Sequence, residues 1–491
     1  MQREMHWYHH LPINIYWLGI NIATGIITPI LLPYLVVLFM PPELKNTYLA
    51  TIRVIGLAVA MMFQPMAGML SDRSTSRWGR RRPFIFVSAI LNVVFVAIIG
   101  ISPRFLGSPA DSFFGATFGV TTAYFVLLVG IILMQFSANL GHGALQGLIP
   151  DVVPENQRGR SSGVKSVLEL LPVFLVVFIG PLVDRGLIGE TVAIIAAGFL
   201  VTMSLTMIFV REQPVSERPA GSLRAPLLRL VALAAIFVAV SQSAVVLMRI
   251  SGGLVEGGET LRILLVVGLA GLLGMAGSIF IGVYLGAWVG IGAEARQQRS
   301  FIWWVINRLL FLAAVGSIQG FAQFYLRDVL HIPNAAAMTT VLLAVVALFL
   351  IPSAIGGGYL ADRIGRKRLV GLAGIVAALG TVVLLLSRNI PMVMVAGSII
   401  GLATGTFMAT NWALGTDIVP KAQAGRYLGI SNLAGAGAGI VGAGIGGPMA
   451  DYFNAISPGM GYLVIFAIYA VLFLLSTLTL TQVKAPEVIK R

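Results

Sequence analysis

Four polar side chains, Gln135, Asn139, His142 and Gln146, recur at steps of four, three and four along an otherwise apolar stretch. At 100° per residue these steps put them on one face of a helix. Three amides offer donors and acceptors to a hydroxylated solute, and the imidazole titrates near physiological pH. Two further sets share the pattern. Arg308, Gln319 and Gln323 fall within about 60° of one another, and Thr404 and Asn411 lie on one face of a later stretch. Glu169 follows Lys165 by one helical turn. Two readings of Glu169 stand: a local ion pair, or a proton-coupling group alongside His142. An unpaired arginine at a bilayer centre costs about 2.5–3.5 kcal/mol. Arg308 is therefore expected to meet a carboxylate, helix-end carbonyls or a solute.

The elements that must position these groups follow from composition. Of the 491 residues 57% are apolar and only 11% are charged, with a mean hydropathy of +0.92. Soluble domains carry about 25% charged residues. This much apolar sequence supplies about fourteen spans of roughly 20 residues. A soluble enzyme, a disordered chain and a nucleic-acid binder are excluded. The net charge of +14 reflects Lys and Arg at the ends of apolar runs, as the positive-inside rule expects. The absence of cysteine removes disulfides, thiolate metal sites and cysteine nucleophiles. No H-E-x-x-H, nucleotide-binding loop or nucleophile–base pair is present, so no metal, no cofactor and no enzymatic activity are expected.

The apolar runs group as six, two and six. The first six lie near 12–40, 46–71, 83–101, 118–149, 162–183 and 190–210. A polar stretch, Arg211–Arg224, precedes two runs near 225–248 and 261–292. The last six lie near 301–327, 335–361, 368–386, 391–418, 426–449 and 460–482. The predicted fold is an all-α polytopic membrane protein of about fourteen helices. It divides into an N-terminal six-helix bundle (1–210), a linker with an inserted helix pair (211–300) and a C-terminal six-helix bundle (301–491). The inserted pair has little polar content and is expected to pack outside both bundles. The first run is read as a retained span. With the N-terminus in the cytoplasm, basic residues favour the cytoplasmic side by about three to one. Lys45, Arg53 and Arg104 fall on the opposite side, and both chain ends are cytoplasmic in a cell (inner) membrane.

Internal repetition supports the division. Gly68, Asp72 and Arg73, followed by Gly79, Arg80 and Arg81, return as Gly358, Asp362 and Arg363, followed by Gly365 and Arg366. Asp151-Val-Val-Pro154 with Gly159-Arg160 returns as Asp417-Ile-Val-Pro420 with Gly425-Arg426. Gly180-Pro181 with Asp184 returns as Gly447-Pro448 with Asp451. Repeated halves are a common construction in secondary transporters. Glycines 435, 437, 439, 442, 444, 446 and 447 of the thirteenth run suit close helix packing.

The G-x-x-x-D-R…G-R-R/K pattern between the second and third spans of each half resembles the signature of the major facilitator superfamily. The longer first loop, Ser71–Ile85, is similar to that of the sucrose–proton symporters and their bacterial relatives, near the glycoside–cation symporters. This chain departs from those symporters in carrying no acidic residue within spans two or four, only Asp72 and Asp151 at their ends. The resemblance implies that Asp72 and Asp362, with Arg73 and Arg363, latch the two halves on the cytoplasmic side. It also implies that spans four, nine and twelve line a cavity. The expected function is secondary active transport of a small polar solute, a sugar or glycoside, coupled to protons by a monomer in the lipid bilayer. A proton-driven exporter of lipophilic compounds and a non-transporting membrane assembly factor are the alternatives. Gln135, Asn139, His142, Gln146, Arg308, Gln319, Gln323 and Asn411 are the expected solute-binding residues, and His142 and Glu169 the expected proton-coupling residues.

Overall fold

The computed structural model describes residues 5–214, 222–292, 298–419 and 424–484; within Ala424–Ile456 the side chains of several early residues are also outside the description. The side chain of Arg426 is among those outside the description. No strand occurs among the described residues.

Among the described residues, thirteen helices are long and apolar enough to cross a membrane. In the first half they are α1 (Trp7–Phe39), α2 (Lys45–Asp72), α3 (Arg82–Phe105), α4 (Thr122–Val152), α5 (Glu155–Phe178) and α6 (Ile188–Phe209). The inserted pair is α7 (Arg224–Leu254) and α8 (Thr260–Ile291), and α9 (Arg299–Asp328), α10 (Ala335–Ile364), α11 (Arg366–Leu386) and α12 (Ile390–Ile418) follow. Helix α13 (Ala424–Ile456) has a similar length, and α14 (Met460–Gln482) ends the series. The chain is an all-α polytopic membrane protein with an inserted helix pair.

Local chemistry sets several boundaries. Thr121 Oγ1 accepts from Tyr124 N (3.2 Å) at the start of α4, and Asn389 Oδ1 accepts from Met392 N (3.0 Å) at the start of α12. Pro83 and Pro391 occupy first-turn positions, where a missing N–H costs nothing. Gly365, at φ +95°, separates α10 from α11 in a conformation that disfavours other residues. Helix α1 contains a π-turn at Ile27–Leu31 around Pro29.

The chain folds as two compact units: residues 1–42 with 59–228, and residues 43–58 with 229–491. In the first, α3 packs against α4 and α6, and α1 against α5 and α6. In the second, α12 packs against α10 and α11, while α9 lies against α13 and α14. The inserted pair docks on this second unit. Phe237 of α7 is fully buried against Gly282 and Gly437, Ser241 Oγ donates to Ile440 O (3.5 Å), and α8 packs along α13. The glycines of α13 work as the small-residue spacing predicted. A Cβ at Gly437 would lie 2.6 Å from Phe237, one at Gly442 2.7 Å from Ala313 O, and one at Gly447 2.5 Å from Asn46 O.

Sequence did not anticipate that α2 is shared. Its first part, from Lys45 to Ala58, packs within the second unit, while Val59 to Asp72 belong to the first. Arg53, read from the sequence as a charge of the non-cytoplasmic side, lies two turns inside this helix.

Candidate transport site

The polar stripe of α4 belongs to the first unit. Asn139 is buried and its Nδ2 donates to Gln135 O one turn earlier (2.8 Å). Gln135 is half-buried and Gln146 exposed. The His142 ring meets Trp17 of α1 edge to face, with centroids 4.8 Å apart. Lys165 Nζ of α5 sits 4.1 Å from the Trp17 ring centroid and 3.1 Å from Glu169 Oε1. His142 and Glu169, the alternative proton-coupling groups, therefore belong to one cluster with Trp17 between them. Lys165–Glu169 is the i,i+4 pair that the spacing allowed.

A second polar group in this unit was not singled out from sequence. Ser88 Oγ donates to Ser137 O (2.7 Å), Ser137 Oγ to Asn92 Oδ1 (2.7 Å) and Asn92 Nδ2 to Ser88 Oγ (3.2 Å), with Tyr16 Oη 3.2 Å from Ser88 Oγ. All four side chains are buried. These mutually satisfied bonds tie α1, α3 and α4 together and fix the register of the α4 stripe. Single hydroxyls among apolar residues carry no periodic signal that would have marked them.

In the second unit, α9 and α12 build a centre around Arg308, which is 7% exposed. Its Nη1 lies 3.4 Å from Asn411 Oδ1 and its guanidinium 5.2 Å from the Trp412 ring centroid. Its Nε is buried without a partner. Asn411 is held from three sides: its Nδ2 donates to Asn307 Oδ1 (2.7 Å), its main-chain carbonyl accepts from Trp304 Nε1 (3.0 Å), and its Oδ1 faces Arg308. Asn307 Nδ2 in turn donates to Ser476 O and Oγ of α14, both at 2.8 Å. Gln319 is exposed and Gln323 buried. At 1.5 Å per residue they stand about 16 and 22 Å beyond Arg308 along α9. Shared angle is not shared depth: the set can line a path, but one small solute cannot touch all of it.

Charge clusters close one end of each unit. In the first, Arg81 is 5% exposed and its Nε donates to Asp151 Oδ2 (2.7 Å), while Nη2 pairs with Asp72 and Nη1 with Ser71. Arg80 Nε adds a bond to Asp151 (2.8 Å). In the second, Arg366 Nη1 donates to both oxygens of Asp417 (2.7 and 2.6 Å), and Nη2 lies 3.6 Å from Asp362. Each half thus joins the ends of its second and fourth helices through one arginine, Arg81 in the first and Arg366, the repeat counterpart of Arg80, in the second. Arg73 is half-buried, while Arg160 and Arg363 are exposed, Arg363 stacking on Tyr359 (4.6 Å). A Cβ at Gly68 would lie 3.7 Å from Gly143 O, whereas Gly358 has open space around it.

Other polar groups, one at this end of the first unit and the rest at the start of α2 or along it, were missed. Both oxygens of Glu212, in the linker, accept from Arg81 N (3.0 and 2.9 Å), and one also accepts from Arg82 N (3.2 Å), capping α3. Burial raises the Glu212 carboxyl above its ordinary value, against the pull of those N–H groups. Gly79, at φ +93°, has no room for a side chain because Glu212 fills the space. Asp451 of α13, 5% exposed, caps α2: Oδ1 accepts from Asn46 Nδ2 (2.7 Å) and Asn46 N (3.2 Å), and Oδ2 from Thr47 N (2.7 Å). Beside it Lys45 Nζ lies 2.6 Å from Asp328, which also accepts from Tyr462 Oη (2.5 Å). Further along α2, Arg53 Nη2 donates to Gly316 O (3.1 Å), and a Cβ at Gly320 would overlap Nη1.

This is the architecture of a polytopic helical protein with two repeated halves and polar side chains buried within otherwise apolar helices. The first half, residues 16–220, matches the model of the MFS/sugar transport protein family, and residues 304–490 match that of the Major Facilitator Superfamily. The chain belongs to the major facilitator superfamily. Among curated proteins it is similar to the sucrose transport protein SUC3 of Arabidopsis thaliana, 29% identical over 30% of this chain and 24% of the relative. The aligned region thus spans about a quarter of that relative's length. Among solved structures it resembles a D-xylose–proton symporter (TM-score 0.62, 16% identity, 98% of each chain). The POT family transporter PepTSo is similar at TM-score 0.64 and 14% identity, over 97% of this chain and 98% of that one. At these identities the likeness is one of fold.

Proposed function

We propose that the protein is a proton-coupled secondary transporter that moves a small polar solute, a sugar or glycoside, by alternating access. One observation carries the reading: Arg308, Asn411 and Asn307 form a connected polar centre inside helices otherwise built for lipid and for each other. Such a centre is costly in a membrane and is a functional site by default. In the second unit Asn411 joins Arg308 in solute recognition and Gln319 and Gln323 line the path farther along α9, while Gln135, Asn139, His142 and Gln146 are the candidate solute-binding residues of the first unit. His142 and Glu169 are the proton-coupling candidates. The motif residues around Asp72, Asp151, Asp362 and Asp417 act in gating, and both chain ends face the cytoplasm. The sucrose-transport relative supports the sugar or glycoside class.

The test is uptake by the purified full chain in proteoliposomes under an imposed proton gradient, with labelled sucrose, other glycosides, monosaccharides and sugar acids. Saturable accumulation abolished by a protonophore is expected for at least one. Loss of accumulation in His142→Gln with solute exchange retained would place coupling there, and the same pattern in Glu169→Gln would place it at Glu169. Absence of saturable uptake across the panel, by protein that is folded and inserted, would refute the proposal.

A further inference from the structure

Some cations of this chain are paired with acids, whereas others bond only to carbonyls or amides, Arg82 to Met207 O among them. Lys45, Lys165, Arg80, Arg81 and Arg366 each stand against a carboxylate at 3.1 Å or closer. Arg81, almost as buried as Arg308, has two. Arg308 and Arg53, both within spanning helices, have none among the described residues, and each keeps one buried N–H nitrogen without an acceptor. A guanidinium has five donors and no acceptor, so one neutral amide oxygen at 3.4 Å leaves Arg308 far from satisfied. An uncompensated buried charge is among the costlier features a fold can retain. Asp at 411, facing this guanidinium, would have compensated it, and the chain has Asn there instead.

We propose that the solute carries a carboxylate and that Arg308 receives it, so that the transported molecule is a sugar acid. This rests on the transporter reading above and narrows its substrate class. The surroundings of Arg308 fit both parts of such a molecule. The guanidinium fork matches a carboxylate in two-point geometry. The Trp412 ring offers an apolar face for a sugar ring, and the Asn411 side-chain amide, oriented by its bond to Asn307, is available to hydroxyls. Arg53, roughly 12 Å or more away along α9 at the level of Gly316 to Gly320, is beyond the reach of the same small molecule. It shares the lack of an acid, so the uncompensated charge of the second unit's spans is positive at two depths.

The test compares D-glucuronate with D-glucose, which differ in a carboxylate against a hydroxymethyl group, for saturable binding and uptake by the full chain in proteoliposomes. The acid is expected to bind about tenfold or more tightly than the neutral sugar, and Arg308→Gln should remove that preference. Asn411→Asp supplies an internal carboxylate to the guanidinium but gives up the donor to Asn307 Oδ1; it should abolish acid binding in protein that still inserts and melts cooperatively, which separates ligand competition from misfolding. Glucose binding as tight as glucuronate binding, with no change of preference in Asn411→Asp, would overturn the sugar-acid assignment and leave the transporter reading standing. No saturable uptake of either compound, or of any solute in the wider panel, by folded protein would overturn both.

Discussion

Replacing Asp451 by Asn tests the contact between the start of α2 and the rest of the second unit with almost no change of shape. The carboxylate accepts three hydrogen bonds, two of them from backbone N–H groups of the α2 first turn. The amide keeps one acceptor oxygen and turns an NH₂ toward a backbone donor, so one buried N–H loses its partner at a cost of about 1–3 kcal/mol. Loss of the negative charge at a helix N-terminus adds about 0.3–1 kcal/mol. The sum, about 1.3–4 kcal/mol, corresponds to roughly a 10- to 800-fold shift toward the detached state. The chain has no cysteine, so a single thiol reports alone. Ala50, 2% exposed and adjacent to the Gly447 position, is the site for it. Modification of Ala50→Cys by a membrane-impermeant maleimide should accelerate by that factor when Asp451→Asn is added. Asn46→Ala, which deletes one side-chain bond, should produce only about a 2- to 10-fold change. Equal labelling rates with and without the Asp451→Asn substitution would refute the claim that this carboxylate holds α2 in place.

The two bridging arginines should differ in their worth. Arg81→Gln removes a buried cation that bridges Asp151, which Arg80 still holds, to the half-exposed Asp72, and should cost about 1.5–3 kcal/mol, whereas Arg366→Gln, whose ion pair is about one-third exposed, should cost about 1 kcal/mol or less. Thermal melting in detergent reads the difference, and equal losses would contradict the burial argument. Glu212 predicts a pH dependence. An acid whose pKa is raised by folding binds more protons folded than unfolded. Its contribution is therefore present below its ordinary value near 4.5 and is lost as pH rises through the folded value. The melting temperature of the native chain relative to Glu212→Gln should fall as pH increases from about 4 to 7; a constant gap would show that the carboxyl does not titrate with folding.

The helices and the halves were legible because lipid imposes long apolar runs and because the loop motif occurs twice. Angular position was legible too: Arg308 and Asn411, on different helices, are in contact, and His142 and Glu169 lie in one cluster. Depth and partner were not. A residue pattern gives 100° per step but does not say that Gln319 and Gln323 stand turns away from Arg308. Arg53 was read as a boundary charge because its accommodation depends on two glycines on a distant helix. Glu212 was passed over because it binds backbone N–H groups, which every sequence supplies and none advertises. Asp451 stood out only as the repeat partner of Asp184, since capping a helix start in three dimensions leaves no trace in linear spacing.

The Asp451 cap also gives the protein an intrinsic clock. First-turn helix amides have no partner within their own helix and ordinarily trade their hydrogens with solvent freely. Those of Asn46 and Thr47 are instead bonded to a buried carboxylate. Their deuterium uptake is thereby tied to how often the start of α2 lets go. Two amides in the unlabelled, wild-type chain would count those departures during turnover, with no probe attached and no residue changed.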